Sequence, residues 1–132
     1  MRWLGVDPGA ARVGIAACDA EERVAVGLEV VPTSVAVPAI RTHAAREGVV
    51  GIVIGLPLSL DGTEGPSAVA ARHLGERVRR VLGLPVEYED ERFTSVAAGE
   101  PERGGGPRDD IAAAIMLQRF IDRRKRDAEP GA

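Results

Sequence analysis

The chain has 132 residues, of which 45% are hydrophobic and 28% are charged, and this composition is typical of one globular domain and not of a disordered chain. A formal net charge of −3 argues against a strongly basic protein that binds nucleic acid without specificity. The single cysteine excludes an internal disulfide. The chain contains no run of about 18 apolar residues, so no transmembrane helix is predicted.

The N-terminal third of the chain predicts three antiparallel strands in a meander. The predicted strands are residues 2–6, residues 12–18 and residues 23–31. A Pro-Gly turn and a polar turn separate them, and Pro32 ends the third strand. The first strand reaches Asp7 after only a few apolar residues, which does not resemble a signal peptide, so we expect a cytoplasmic protein without membrane contact.

The rest of the chain alternates helices and strands. We predict a helix at 34–47 with Ser34 as its N-cap, a strand at 49–56, a helix at 66–82, a short strand at 84–88, and a last helix from Asp109 or Asp110 to about Arg124. The strand at 49–56 is apolar throughout, which indicates burial on both faces between parallel neighbours. The order β-β-β-α-β-α-β-α predicts an α/β domain over residues 1–126, a mixed five-stranded sheet with helices on both faces, followed by a polar tail at 127–132.

Acidic residues occur at three corresponding points of this predicted fold. Asp7 ends the first strand, Glu91 follows the last strand, and Asp109 and Asp110 open the last helix. If the first, fourth and fifth strands are neighbours, these carboxylates emerge at one edge of the sheet, where α/β proteins place ligands. Crowded carboxylates repel one another unless a divalent cation lies among them, and oxygen ligands favour Mg²⁺ or Mn²⁺. The pattern therefore predicts metal-assisted phosphodiester hydrolysis.

Each of these acids also has an ordinary explanation when taken alone. Asp7 is then a turn residue beside Pro-Gly, Asp109 or Asp110 is a helix cap, and Glu91 is a solvated surface acid. Three such residues in one fold pattern are much harder to explain as coincidence. The metal-binding interpretation is therefore the leading one.

Several residues around these acids are candidates for contacts with phosphate. The loop after the fourth strand ends at a helix N-terminus, at Gly65 and Ser67, where free backbone N–H groups attract anions. The other candidates are Arg12, Arg92, Thr94 and Ser95. The basic run at 123–126 suits either a nucleic-acid backbone or a solvated helix end.

Four motifs of the chain resemble those of the YqgF family, also called RuvX, whose members are Holliday-junction-resolvase-like proteins proposed to be pre-16S rRNA nucleases. The motifs are G-V-D-P-G-A-A-R-V-G-I-A from Gly5, G-L-P-L-S-L-D-G-T-E-G-P from Gly55, D-E-R-F-T-S from Asp90 and D-D-I-A-A-A-I-M-L-Q from Asp109. The resemblance covers most of the chain. It implies an RNase H-like fold and a metal-dependent nuclease that processes the 5′ end of the 16S rRNA precursor.

The resemblance assigns the catalytic acids as Asp7, Glu91 and Asp109, with Asp110 at a neighbouring position of the metal site. It implies RNA as substrate, branched DNA as an alternative, and a homodimer by analogy with resolvases. The segment 96–108 departs from the family, because it is short and glycine-rich where relatives carry a longer basic helix. Two other functions stay open: a nucleotide-binding fragment of the actin and sugar-kinase type, and a non-catalytic RNA-binding module of ribosome assembly.

Overall fold

The computed structural model of the chain describes residues 1–90 and 108–128, with the side chain of Arg108 excepted. Within these ranges the strands are β1 (Trp3–Asp7), β2 (Arg12–Cys18), β3 (Ala25–Pro32), β4 (Gly51–Leu56) and β5 (Val86–Asp90). The helices are α1 (Ala36–Glu47), α2 (Pro66–Leu82) and α3 (Arg108–Ala128), and a short 3₁₀ turn, Thr33–Val35, leads into α1. The predicted order of elements is confirmed over the described residues.

The strands form one mixed sheet in the order β3-β2-β1-β4-β5. The hairpin partners β1 and β2 are antiparallel, as are β2 and β3, whereas β4 lies parallel to both β1 and β5. Every residue of β4 is buried, as its continuous apolar sequence predicts for a strand covered on both faces. The mixed five-stranded α/β sheet is therefore confirmed, and β1 lies at its centre.

Helices cover both faces of the sheet. On one face α1 and α2 pack against Leu4, Val6 and the even-numbered residues of β4. On the other face α3 packs through Met116, Leu117 and Phe120 against Trp3 and its neighbours. Alternation along β1 divides its side chains between these two cores, so Asp7 falls on the same face as Trp3, beneath α3.

Three glycines allow α3 to lie unusually close to the sheet. A Cβ added at Gly5 would lie 2.9 Å from the Cβ of Leu117, and one at Gly14 would collide with the backbone carbonyl of Asp109. A Cβ at Gly27 would lie 2.6 Å from a carboxylate oxygen of Asp110. The first turn of α3 therefore rests directly on the backbone of β2 and β3.

Some predicted boundaries are wrong. Ser34 is not the N-cap of α1, because it lies in the 3₁₀ turn and Val35 occupies the cap position without a side-chain hydrogen bond. The last strand spans Val86–Asp90 and not residues 84–88, and because it ends two residues later than predicted, Glu89 belongs to the strand. Helix α3 reaches Ala128, two residues into the predicted tail.

Other local predictions are confirmed. Gly48 and Gly83 end α1 and α2 in the left-handed conformation with φ of 63° and 70°, and Pro66 opens α2. Cys18 is buried, as expected for a small apolar residue on a strand. Of the helices in the described ranges, none is long and apolar enough to cross a membrane.

Candidate active site

Asp7 and Asp109 line the same cavity, although they come from opposite ends of the chain. The cavity has a volume of about 300 Å³, and the turn at residues 8–11 and Arg12 complete its wall. It lies at the end of β1, at the sheet edge where the sequence predicted a ligand site. Two of the three predicted catalytic acids are thus brought together.

The proximity of these two carboxylates follows from the packing of α3 on β2. Asp7 pairs with Gly14 across the β1–β2 hairpin, which places the two residues side by side. The backbone carbonyl of Asp109 lies against the Cα of Gly14, where any side chain would exclude it. Because Gly14 touches both, the missing side chain at this position sets the distance between the end of β1 and the start of α3.

Arg12 forms an ion pair with Asp109 at the rim of the cavity. Its Nε lies 3.6 Å from Oδ2 of Asp109, and the two side chains are 49% and 21% exposed. An arginine here offsets part of the repulsion between the carboxylates. Arg12 was predicted to bind phosphate, and the structure places it within reach of a ligand in the cavity while it is held by an acid.

The other predicted acids are placed differently. The carboxylate of Asp110 lies against Gly27 of β3, and the residues that line the cavity include Asp109 but not Asp110. Glu91 lies outside the described residues; it directly follows Asp90, which pairs with Leu56 at the end of β5. Within residues 1–90 and 108–128, no group of three His, Cys, Asp or Glu side chains is close enough together to hold a metal ion.

The predicted phosphate-contact residues fall into two groups. Arg92, Thr94 and Ser95 lie outside the described residues, as does almost all of the shortened segment at 96–108. Gly65 is the N-cap of α2 and provides no side-chain cap, and Ser67 lines a second cavity of about 510 Å³ beside the first. Both cavities share the turn of Pro8, Gly9 and Ala10, so they adjoin along this edge of the sheet.

Thr33 secures that shared turn, a role that sequence reasoning missed. Its amide donates to the carbonyl oxygen of Ala11 at 3.0 Å, and its hydroxyl donates to that of Gly9, also at 3.0 Å. A threonine after Pro32 carries no sequence signal for this contact, because the turn it holds lies more than twenty residues away. The hydrogen bonds give both cavities a defined wall.

The basic run at the end of α3 is partly engaged inside the protein. Arg123 pairs with the buried Glu89, and Arg124 pairs with Glu22 at 2.9 Å and lies over the ring of Trp3. Lys125 and Arg126 are exposed. The predicted choice between a nucleic-acid contact and a solvated end therefore applies only to the last two residues, because the first two secure α3 to the sheet.

Burial of Glu89 has a consequence for stability. Its side chain is 6% exposed, and burial raises the pKa of its carboxyl above the usual value, although Arg123 and Arg119 oppose the rise. A carboxyl with a raised pKa in the folded state favours folding at low pH, and this contribution is lost as the pH rises through that pKa. Ionised Glu89 is therefore a net cost to the fold at neutral pH.

We expect Glu89→Gln to gain stability relative to the wild type as the pH is raised from about 4 to 7.5, since the amide avoids burial of a charge. Half-exposed Arg123 stays hydrated when its partner is removed. Urea unfolding of both proteins across this pH range measures the difference. Glu87→Gln is the matched control, because Glu87 lies two residues earlier on β5 and is exposed. If the wild type instead became more stable relative to Glu89→Gln as the pH rises, the result would contradict the destabilising effect of the buried Glu89 charge.

Comparisons with known proteins agree with this architecture. A family model described as "RuvX: Holliday junction resolvase" matches residues 1–123. Proteins named "Putative pre-16S rRNA nuclease" are similar over nearly the whole length. One from Thermosynechococcus vestitus is 38% identical and covers 96% of this chain and 91% of its own, and one from Anaeromyxobacter sp. strain K is 41% identical, covering 94% and 98%.

Solved structures support the fold independently. The structure described as T. thermophilus RuvC in complex with Holliday junction substrate superimposes with a TM-score of 0.61. It covers 95% of this chain and 96% of its own, at 16% sequence identity. At that level of identity the likeness concerns the fold, which is the RNase H-like arrangement expected from the sequence motifs.

Proposed function

The chain belongs to the RuvX family of Holliday junction resolvase-like proteins, and from this premise we propose that it is a metal-dependent nuclease that hydrolyses phosphodiester bonds in structured nucleic acid. We propose the 5′ end of the 16S rRNA precursor as its substrate, because relatives that match over nearly their whole length carry that name. The protein would act in the cytoplasm, and as a homodimer by analogy with resolvases that cut paired strands.

The observation that supports this proposal most directly is the shared cavity of Asp7 and Asp109. The fold brings two carboxylates from distant parts of the chain to one solvent-facing cavity. Two negative charges placed close together repel each other, and a cation bound between them would offset that repulsion. In the proposal Glu91 is the third catalytic acid, since it directly follows the strand that ends beside β4. Asp110 is retained as an outer ligand, although its carboxylate lies over β3.

The donor set fits Mg²⁺ or Mn²⁺, because carboxylate oxygens are the ligands that these hard cations prefer. A bound cation would supply a more acidic water and stabilise the negative charge that develops on the phosphate. Asp7 and Asp109 would hold it, and the packing of α3 on Gly14 would keep their spacing constant. Arg12 would exchange its contact with Asp109 for one with the substrate phosphate.

Further phosphate contacts are proposed for residues around this site. Arg92, Thr94 and Ser95 follow Glu91 closely in the sequence, and we assign them to contacts with the phosphates of the bound strand on that ground. Gly65 and Ser67 offer backbone N–H groups at the start of α2. These contacts position the strand and carry no sequence information by themselves.

The proposal is tested by incubating purified protein with Mn²⁺ and two substrates side by side: precursor 16S rRNA, and a four-way DNA junction. We expect cleavage of the RNA that chelation with EDTA abolishes. Cleavage of the junction alone would favour the second candidate, a resolvase of branched DNA, which the description of the family supports. Binding of RNA without cleavage under any divalent cation would instead identify a non-catalytic assembly module.

A further inference from the structure

The larger cavity beside the acidic site is not explained by the chemistry of the acids. It has a volume of about 510 Å³, within the range of small-molecule sites. One wall is the turn at residues 8–10, and the other is a face of α2 from Ser67 to Arg77. We propose that this groove, called the α2 groove below, binds one unstacked nucleoside and its phosphate from the strand that is cut. The proposal rests on the proposed nuclease function.

The position of the α2 groove supports this occupant. The turn of Pro8, Gly9 and Ala10 forms a wall of both cavities, so a strand bound at Asp7 would reach the groove by passing around this turn. On α2, the residues that line the groove recur at helical spacing on one face and extend over about 15 Å of helix. The hydrogen bonds of Thr33 hold the opposite wall in place.

The charge of the α2 groove suits a phosphate. Arg77 and His73 lie one turn apart in its lining, and neither side chain has a hydrogen bond or ion pair with any residue in the described ranges. The neighbouring arginines differ, because Arg72 pairs with Glu64 at 2.6 Å and Arg79 with Glu76 at 2.7 Å. Arg77 and Arg80 have no ion pair within the described residues, and of these two arginines only Arg77 lines the groove, beside the cavity of Asp7 and Asp109.

The floor of the α2 groove suits a base and not a double helix. Val13, Ala71 and Leu74 provide an apolar surface between the polar rims. An unstacked base buries its faces against such a surface, and a histidine ring or an arginine guanidinium supplies the stacking partner. Bases inside a duplex are stacked on one another and cannot enter. The groove therefore selects single-stranded or splayed nucleotides that flank the scissile phosphate.

The test measures binding of a fluorescently labelled single-stranded octaribonucleotide by anisotropy, in EDTA so that no metal contributes. We expect Arg77→Gln to weaken binding by about tenfold, as for the loss of one charge-assisted contact to phosphate. Ala70→Leu adds bulk at an exposed, groove-lining helix position and should weaken binding to a similar degree. Arg80→Gln removes the same charge from an exposed position of α2 outside the groove lining, and should change binding less than twofold.

Thermal unfolding of each variant checks that α2 remains folded. Equal affinity of Arg77→Gln, Ala70→Leu and wild-type protein would overturn the proposal, as would equally strong competition by a blunt RNA duplex. Cleavage by the wild-type protein with Mn²⁺, and its loss in Asp7→Asn, test the proposed function separately from this inference. If the α2 groove variants lose binding and no protein cleaves RNA with Mn²⁺, the groove stands and the nuclease proposal fails. If cleavage occurs and the groove variants bind normally, only the groove proposal fails.

Discussion

Asp7→Asn is expected to reduce metal-dependent cleavage by at least about 100-fold, equivalent to about 2.7 kcal/mol of the activation barrier, while the protein stays folded. The amide has nearly the shape of the carboxylate but lacks its charge, so a cation held by Asp7 and Asp109 would lose one of these two ligands. The rate is measured on the RNA or DNA substrate that the wild-type protein cuts, with Mn²⁺ in excess.

The matched control is Asp127→Asn, which makes the same chemical change at an exposed position near the end of α3. It should cleave at the wild-type rate. Circular dichroism and the thermal midpoint establish that Asp7→Asn is folded, so that loss of activity cannot be ascribed to unfolding. Cleavage by Asp7→Asn at the wild-type rate would remove Asp7, and with it the shared cavity, from the catalytic site.

Gly14→Val is expected to lower the free energy of unfolding by about 1–3 kcal/mol and to abolish cleavage. The new side chain would occupy the position of the Asp109 backbone carbonyl, so the first turn of α3 must move away from β2. Asp109 would move with it and leave the cavity of Asp7. Urea unfolding measures the stability, and the cleavage assay measures the separation of the acids.

Gly65→Ala is the control for the stability effect, because nothing lies within 4 Å of a Cβ added at Gly65 and its φ of −94° suits any residue. Its cost should stay below about 1 kcal/mol, the usual penalty for a poorer N-cap. A Gly14→Val protein that remains as stable and as active as the wild type would show that α3 can pack further from the sheet without consequence for the acids.

Sequence periodicity was informative wherever local physics determines the structure. The unbroken apolar run before Pro57 predicted β4 as the strand buried on both faces, and the glycines at 48 and 83 predicted the ends of α1 and α2. The cap at Ser34 was predicted wrongly, because the chain leaving β3 first forms a 3₁₀ turn, and Thr33 of that turn donates a hydrogen bond to the β1–β2 turn. This hydrogen bond is a tertiary contact, which local sequence patterns do not predict.

The sequence by itself determined the kinds of element, their order, and the acids that end β1 and open α3, since hydrophobic period and turn residues act over a few neighbours. Only the tertiary structure decided that Asp109 lines the cavity of Asp7 while Asp110 lies over Gly27. It also decided that Arg123 forms an ion pair with the buried Glu89 and that Arg77 lines the α2 groove. These outcomes depend on which face of a helix meets the sheet, and that is set by close packing between segments far apart in the chain.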